Sequence, residues 1–284
     1  MDERGVLGKV NSQNDTVLNL STDSGFCTDW KHEYQLDTEQ TISNPYSTDL
    51  FMPAATRMMS TLCAFFKLQH SIEFSAIDTL EQLIVRTIQT SATNDKIEER
   101  ILENLPIYVI AILSLVAKFF DARTILDPAL QRQMLQANFP DLVWNEQKMV
   151  TFEFEVMKTL NYKISQSLLL GAVERFTKEH ILTRGIARKD FVGALGVKLL
   201  RIVYAQKNQI YNSLRPNVKC EDLFTRFKSN KLILAAATVT AILKLCAADE
   251  ELLADRVVIQ LSNDCFVEPK NITLLRDAII NACR

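Results

Sequence analysis

From residue 50 onward, apolar residues recur at steps of three and four. Phe51, Ala55, Met58, Leu62 and Phe65 share one helix face in this register, and Ile77, Leu80, Ile84 and Ile88 repeat the stripe in the next segment. The run from Leu105 to Ala117 is apolar on every side. A helix without a polar face must be enclosed by other helices, so this one is expected at the centre of a bundle. Met149, Phe152, Val156 and Leu160 form a further stripe, and Asn161 is placed to stop that helix. The second half repeats the plan. Leu168–His180 and Phe191–Tyr204 are amphipathic, and a second helix apolar all round begins at Leu232, 127 residues after Leu105, and runs to Cys246. Leu252–Leu261 and Ile272–Ile280 follow. Two bundles, each around a buried central helix, point to an internal duplication of structure, carried by pattern and not by matched residues.

Residues 1–49 differ from the rest. They carry nine Asp/Glu against three Lys/Arg, a net −6, and are crowded with Ser, Thr, Asn and Gln. Such a segment buries too little apolar area to offset its ordering entropy, so it is expected to be a disordered acidic tail. The island Phe26–Trp30 within it has the form of a short docking motif, although such islands are more often solvated or packed weakly on the body. Removing the tail leaves the body at +4, with Lys/Arg clusters at Arg184–Lys189 and Arg226–Lys231 that read as solvated faces beside loops.

Composition sharpens the class. Only 7 Gly and 7 Pro are present, and Gly5, Gly8 and Gly25 fall in the first 25 residues. A sheet protein of this size needs more turn formers, so the chain is expected to be all-α. The formal charge of −2 draws the protein to neither nucleic acid nor an anionic membrane. The apolar run ending at Lys118 is too short to span a bilayer, and no charged-then-apolar signal segment is present at the N-terminus. Six scattered cysteines without a Cys-x-x-Cys spacing read as reduced thiols of a cytosolic or nuclear protein. His32, His70 and His180 lie far apart, and neither metal-ligand spacing, a nucleophile–base arrangement nor a glycine-rich phosphate loop is present. The chain is therefore expected to be neither an enzyme nor the holder of a cofactor.

Two charges interrupt the apolar surfaces. Lys118 ends the central helix, where it complements the helix dipole and can reach water. Glu153 has Met149, Val156 and Met157 as its neighbours at one-turn spacing, so it sits on the apolar stripe of its helix. A carboxylate there needs a cation or a wet exit, and Lys118 is the candidate. From periodicity alone, a purely structural pair and a binding site remain equally open.

The stretch Ala111-Ile-Leu-Ser-Leu-Val-Ala-Lys-Phe-Phe-Asp121 resembles the central helix of the cyclin box, and Met149…Glu153-Phe-Glu-Val-Met-Lys-Thr-Leu-Asn-Tyr-Lys-Ile164 resembles its fifth helix. Lys67-Leu-Gln followed by Ala76-Ile-Asp-Thr-Leu-Glu-Gln-Leu-Ile84 is similar to the second helix, and the three segments lie in the family's order. The resemblance covers residues 51–164 well and 168–284 more weakly. It implies a cyclin-like fold of two tandem five-helix boxes, 50–165 and 166–284, behind the tail at 1–49. It also places Lys118 and Glu153 on the family's Lys–Glu pair, which meets the regulatory helix of a cyclin-dependent kinase, with Phe119, Met157 and Ile164 on neighbouring kinase-contacting positions. The partner so implied is a cyclin-dependent kinase, activated by repositioning of that helix.

The departures are informative. Phe120 stands where the family has Glu, while Asp121 stays acidic. Phe51-Met-Pro-Ala-Ala and Met58 occupy the place of the substrate-docking motif, which argues against docking of Arg-x-Leu substrates. No Ser or Thr precedes any of the seven prolines. Glu155–Ile164 and Ile202-Val-Tyr…Ile210-Tyr-Asn-Ser-Leu214 resemble the divergent cyclin N-terminal-domain-containing proteins associated with meiotic crossover sites. That resemblance implies a nuclear protein on meiotic chromosomes, with recombination factors as further partners. Two other readings stay open: a kinase-independent scaffold of the same fold, and a nucleic-acid-binding relative of the general transcription factors, against which the mild charge of the body counts.

Overall fold

The protein is described by a computed structural model over residues 30–43, 48–91, 96–120, 127–138, 140, 146–164, 167–185, 189–218, 220–246 and 251–284. Among these residues every regular element is helical, so the chain is all-α. The order is α1 (Trp30–Ile42), α2 (Met52–Phe65), α3 (His70–Thr90), α4 (Ile97–Phe120), α5 (Pro128–Asn138), α6 (Glu146–Thr159), α7 (Leu168–Thr177), α8 (Lys189–Leu214), α9 (Glu221–Ser229), α10 (Lys231–Cys246), α11 (Glu251–Cys265) and α12 (Pro269–Ala282). A single π-helical turn, Lys178–Leu182, extends α7.

The two helices without a polar face lie where their patterning requires. Helix α4 packs against α2, α3 and α6, and α10 against α7, α8, α11 and α12. Every residue of α10 from Leu232 to Leu243 is buried. Helix α4 is longer than its apolar run suggests: it starts eight residues before Leu105 and continues through Pro106. Its 24 residues are long and apolar enough to cross a bilayer by composition alone. Here its residues from Val109 to Ser114 are enclosed by neighbouring helices. In α3, Ile77, Leu80, Ile84 and Ile88 are all buried. In α2 the stripe is rotated slightly: Met59 is buried, Met58 is only half-buried and Phe65 is exposed.

The scarcity of glycine shows at the helix ends. Three of the described helix ends close with paired 6→1 and 5→2 backbone bonds around a residue in the left-handed region. After α2 the turn residue is Lys67 (φ 52°), with Leu68 N–H donating to the Cys63 carbonyl at 2.9 Å. After α6 it is Asn161 (φ 52°), with Tyr162 N–H donating to the Met157 carbonyl at 2.8 Å. After α11 it is Phe266 (φ 54°). Asn161 thus ends α6 as its position suggests, since Asn tolerates this conformation better than most residues.

Two expectations need correction. The composition of 1–49 predicts a disordered tail, yet 30–42 form helix α1, whose Tyr34 is buried and donates a hydrogen bond to the Leu168 carbonyl. Polar contacts, which a count of apolar area leaves out, anchor it. One of these is the ion pair between Asp37 and Lys231 at 3.0 Å. Residues 26–29 of the docking island lie outside the described residues. Among the described residues five α-helices fall within 50–165 and six within 166–284, where the resemblance implies five. The extra one is α9, nine residues long, whose core contribution is the buried Phe224. The basic cluster on and beside it is not simply solvated. Lys228 pairs with Asp49 at 3.1 Å and bonds the Asn208 side chain at 2.9 Å, and Lys231 reaches Asp37.

The two halves are tied together by polar contacts from α3 to α8. Glu73, with its side chain 0% exposed, is gripped by Arg201 through two bonds of 2.7 Å and also accepts from Ser60 at 2.7 Å. Burial alone would raise this carboxyl. Hydrogen bonds from His70, Arg201 and Ser60 more than offset that and hold it at about 2. Phe74 stacks on Tyr204 beside this pair, with ring centres 5.5 Å apart.

A candidate protein-binding surface around the Lys118–Glu153 pair

Helix α6 carries two apolar stripes. Met149, Val156 and Leu160 are buried and Phe152 is half-buried against α4, where its ring lies 4.8 Å from that of Tyr108. Val150, Phe154 and Met157 follow at i, i+4 and i+7, which sets them on an adjoining face. Val150 and Phe154 are exposed and Met157 is half-buried. Phe154 leaves 60% of its surface in solvent. The i, i+4, i+7 spacing of this second stripe is the sequence signal that marks it.

Glu153 lies on the border between the stripes. Its carboxylate takes the Lys118 ammonium through bonds of 2.8 and 3.0 Å to its two oxygens. The pair expected from sequence is therefore formed, and it joins the last turn of α4 to the middle of α6. The two partners are not equally enclosed: the Glu153 side chain is 15% exposed and that of Lys118 42%. In the isolated chain the pair is thus nearer a surface ion pair than a buried one, worth about 0–1 kcal/mol.

Phe119 and Phe120 follow Lys118 and are both exposed, with their rings 5.7 Å apart at a steep angle. Phe119 is where the sequence reading placed a contact residue. Phe120, Val150 and Phe154 were missed. Ile164 lies past the turn that ends α6, half-buried and packed against the core, next to the exposed ring of Tyr162. Asp121 lies outside the described residues.

Comparison with protein-family models, with curated proteins and with solved structures finds no match for this chain. Among the described residues no group of three or more His, Cys, Asp or Glu is placed to hold a metal ion. What the surface offers instead is recognition. It presents a fixed charge pair with opposite signs side by side, set among apolar side chains that water solvates poorly. Large apolar residues clustered beside a ready-made ion pair have the anatomy of a protein contact, with aromatic anchors and polar groups to fix register.

Proposed function

We propose that the chain is a cyclin-like regulatory subunit that binds a cyclin-dependent kinase through the α4–α6 face. The observation that carries the reading is the Lys118–Glu153 pair, with exposed Phe119 beside it in sequence and Met157 one turn beyond Glu153. The pair joins two helices at the same points at which the cyclin-box motifs, in their family order, carry their Lys–Glu contact. The function so assigned is positional. The subunit presents a rigid helical face against the kinase's regulatory helix and supplies no chemistry of its own. The two-box cyclin organisation belongs to the same proposal, supported by the resemblance over 51–164 and more weakly over 168–284, as do a nuclear location on meiotic chromosomes and a part in crossover formation, supported by the resemblance of Glu155–Ile164 and Ile202-Val-Tyr…Ile210-Tyr-Asn-Ser-Leu214.

The test is capture of a panel of co-expressed cyclin-dependent kinases by the wild-type chain and by Lys118→Ala and Glu153→Ala. One kinase is expected to bind. When a partner covers the pair and excludes water, loss of either member is expected to cost about 3 kcal/mol, or roughly a hundredfold in affinity. Because Lys118 is substantially exposed in the free chain, both variants are expected to keep the wild-type helical signal and melting temperature. Failure of every kinase to bind, or retention of full affinity by both variants, would sink the proposal.

A further inference from the structure

The face around the Lys118–Glu153 pair leaves much apolar surface in water. Phe119 is 58% exposed and Phe154 60%, with Phe120 and Val150 exposed beside them. Of the six exposed phenylalanines among the described residues, three thus flank one ion pair. In a free chain, apolar side chains clustered in this way favour any partner that shuts water out.

The charges narrow the choice of partner. Lys118 and Glu153 hold opposite charges side by side, joined by bonds of 2.8 and 3.0 Å. Helix α6 and Lys118 together carry three acidic and three basic residues, so the surroundings are neutral as a whole. A face of one sign repels its own copy. A neutral face with a cation beside an anion is complementary to itself. Rotation by a half-turn about an axis through the pair sets each Lys118 against the copy's Glu153 and each Glu153 against the copy's Lys118. Because the two charged groups touch, one axis serves both contacts. The same axis brings the rings of the two copies together, since Phe119 and Phe154 are the sequence neighbours of the two charges.

We propose that, when no kinase is bound, two copies of the chain pair through this face, so that self-association and kinase binding exclude each other. The consequence for the kinase rests on the function proposed above; the contact between copies does not. One helix and the last turn of another fall short of the roughly 800 Å² that each partner buries in a stable complex. The pairing is therefore weak and depends on concentration. A weak dimer keeps the aromatic stripe from indiscriminate contacts, and it yields to a kinase that binds the free chain and draws the equilibrium toward itself.

The experiment is sedimentation velocity on the full chain without kinase, from about 1 to about 100 µM in about 150 mM salt. The wild-type chain is expected to shift from monomer toward dimer across this range. Lys118→Glu alone and Glu153→Lys alone set like charges against each other across the axis, and each is expected to weaken pairing at least about tenfold. An equimolar mixture of the two variants is expected to pair again, because every contact across the axis then joins opposite charges. Adding Phe154→Ser to both is expected to abolish that recovery, which separates docking of this face from simple attraction between unlike chains. A wild-type chain that stays monomeric at about 100 µM overturns the proposal, as does pairing that neither reversal weakens, or a mixture that does not recover. Should a reversal unfold the chain by circular dichroism, Phe154→Ser alone decides, and undiminished pairing in that variant overturns the proposal. Adding a captured kinase is expected to give a complex with one copy of the chain; a complex holding two copies overturns the exclusion. A monomeric chain that still captures a kinase leaves the kinase reading standing, whereas pairing that passes every arm in a chain that captures none removes only that reading.

Discussion

Glu73→Gln isolates the contact that joins the two halves. The amide matches the carboxylate in shape, so the change removes charge without opening a cavity. In the folded chain the carboxyl is held at about 2 against an ordinary 4.5. At neutral pH that difference corresponds to about 3 kcal/mol of stability, at 1.36 kcal/mol for each tenfold change in proton affinity. Because the folded value is depressed, this contribution is complete above the unfolded value and fades as pH falls from about 4.5 toward 2. At pH 3 only about 1 kcal/mol should remain. The Arg201 side chain is 35% exposed, so some of its attraction is screened by water, while the Glu73 side chain has no exposed surface. The expected outcome in urea unfolding is therefore a variant about 3 kcal/mol less stable than wild type near pH 7, with the gap more than halved near pH 3 and the denaturant slope unchanged. A cost under about 1 kcal/mol at pH 7, or a gap of equal size at both pH values, would refute the reasoning. The first result would mean the guanidinium does not grip the carboxylate. The second would mean that shape and not charge sets the cost.

Two further outcomes test local features. Lys67 is exposed and holds φ 52° in the turn after α2, so Lys67→Gly is expected to raise stability by about 1 kcal/mol, seen as a higher melting temperature. Leu113 is fully enclosed at the centre of α4, so Leu113→Ala is expected to cost about 2–5 kcal/mol in chemical denaturation, with the spread set by how far the site collapses.

Helices α4 and α10 were readable because a segment with no polar side has only one stable environment. Asn161 was readable because few residues tolerate the turn conformation, and Glu153 because a charge on an apolar stripe demands a partner. Helix α1 was not. Its apolar residues follow no stripe, and what anchors it, Tyr34 to the Leu168 carbonyl and Asp37 to Lys231, is invisible to any count of apolar area. Helix α9 is amphipathic over its nine residues, with Phe224 and Phe227 turned to the core, but the basic cluster Arg226–Lys231 on and beside it masked that pattern.

Glu73 marks the limit more closely, since the logic that flagged Glu153 applies to it unchanged. It lies four residues before Ile77 and seven before Leu80, on the stripe that α3 buries. Periodicity alone therefore says that it needs a cation. It cannot say which one, because the answer is 128 residues away in Arg201, and the neighbouring Asp78–Tyr204 and Glu81–Lys207 contacts each span 126. A local repeat fixes which face of a helix turns inward; it carries no information about what the fold sets opposite. The Lys118–Glu153 pair was within reach because its partners are only 35 residues apart and each helix end was independently marked. The junction charges required the two halves to be docked first. Once they are docked, a helix with almost no apolar face has a reason to stay in place. That reason is electrostatic, so it should weaken under conditions that leave the apolar cores of both halves untouched.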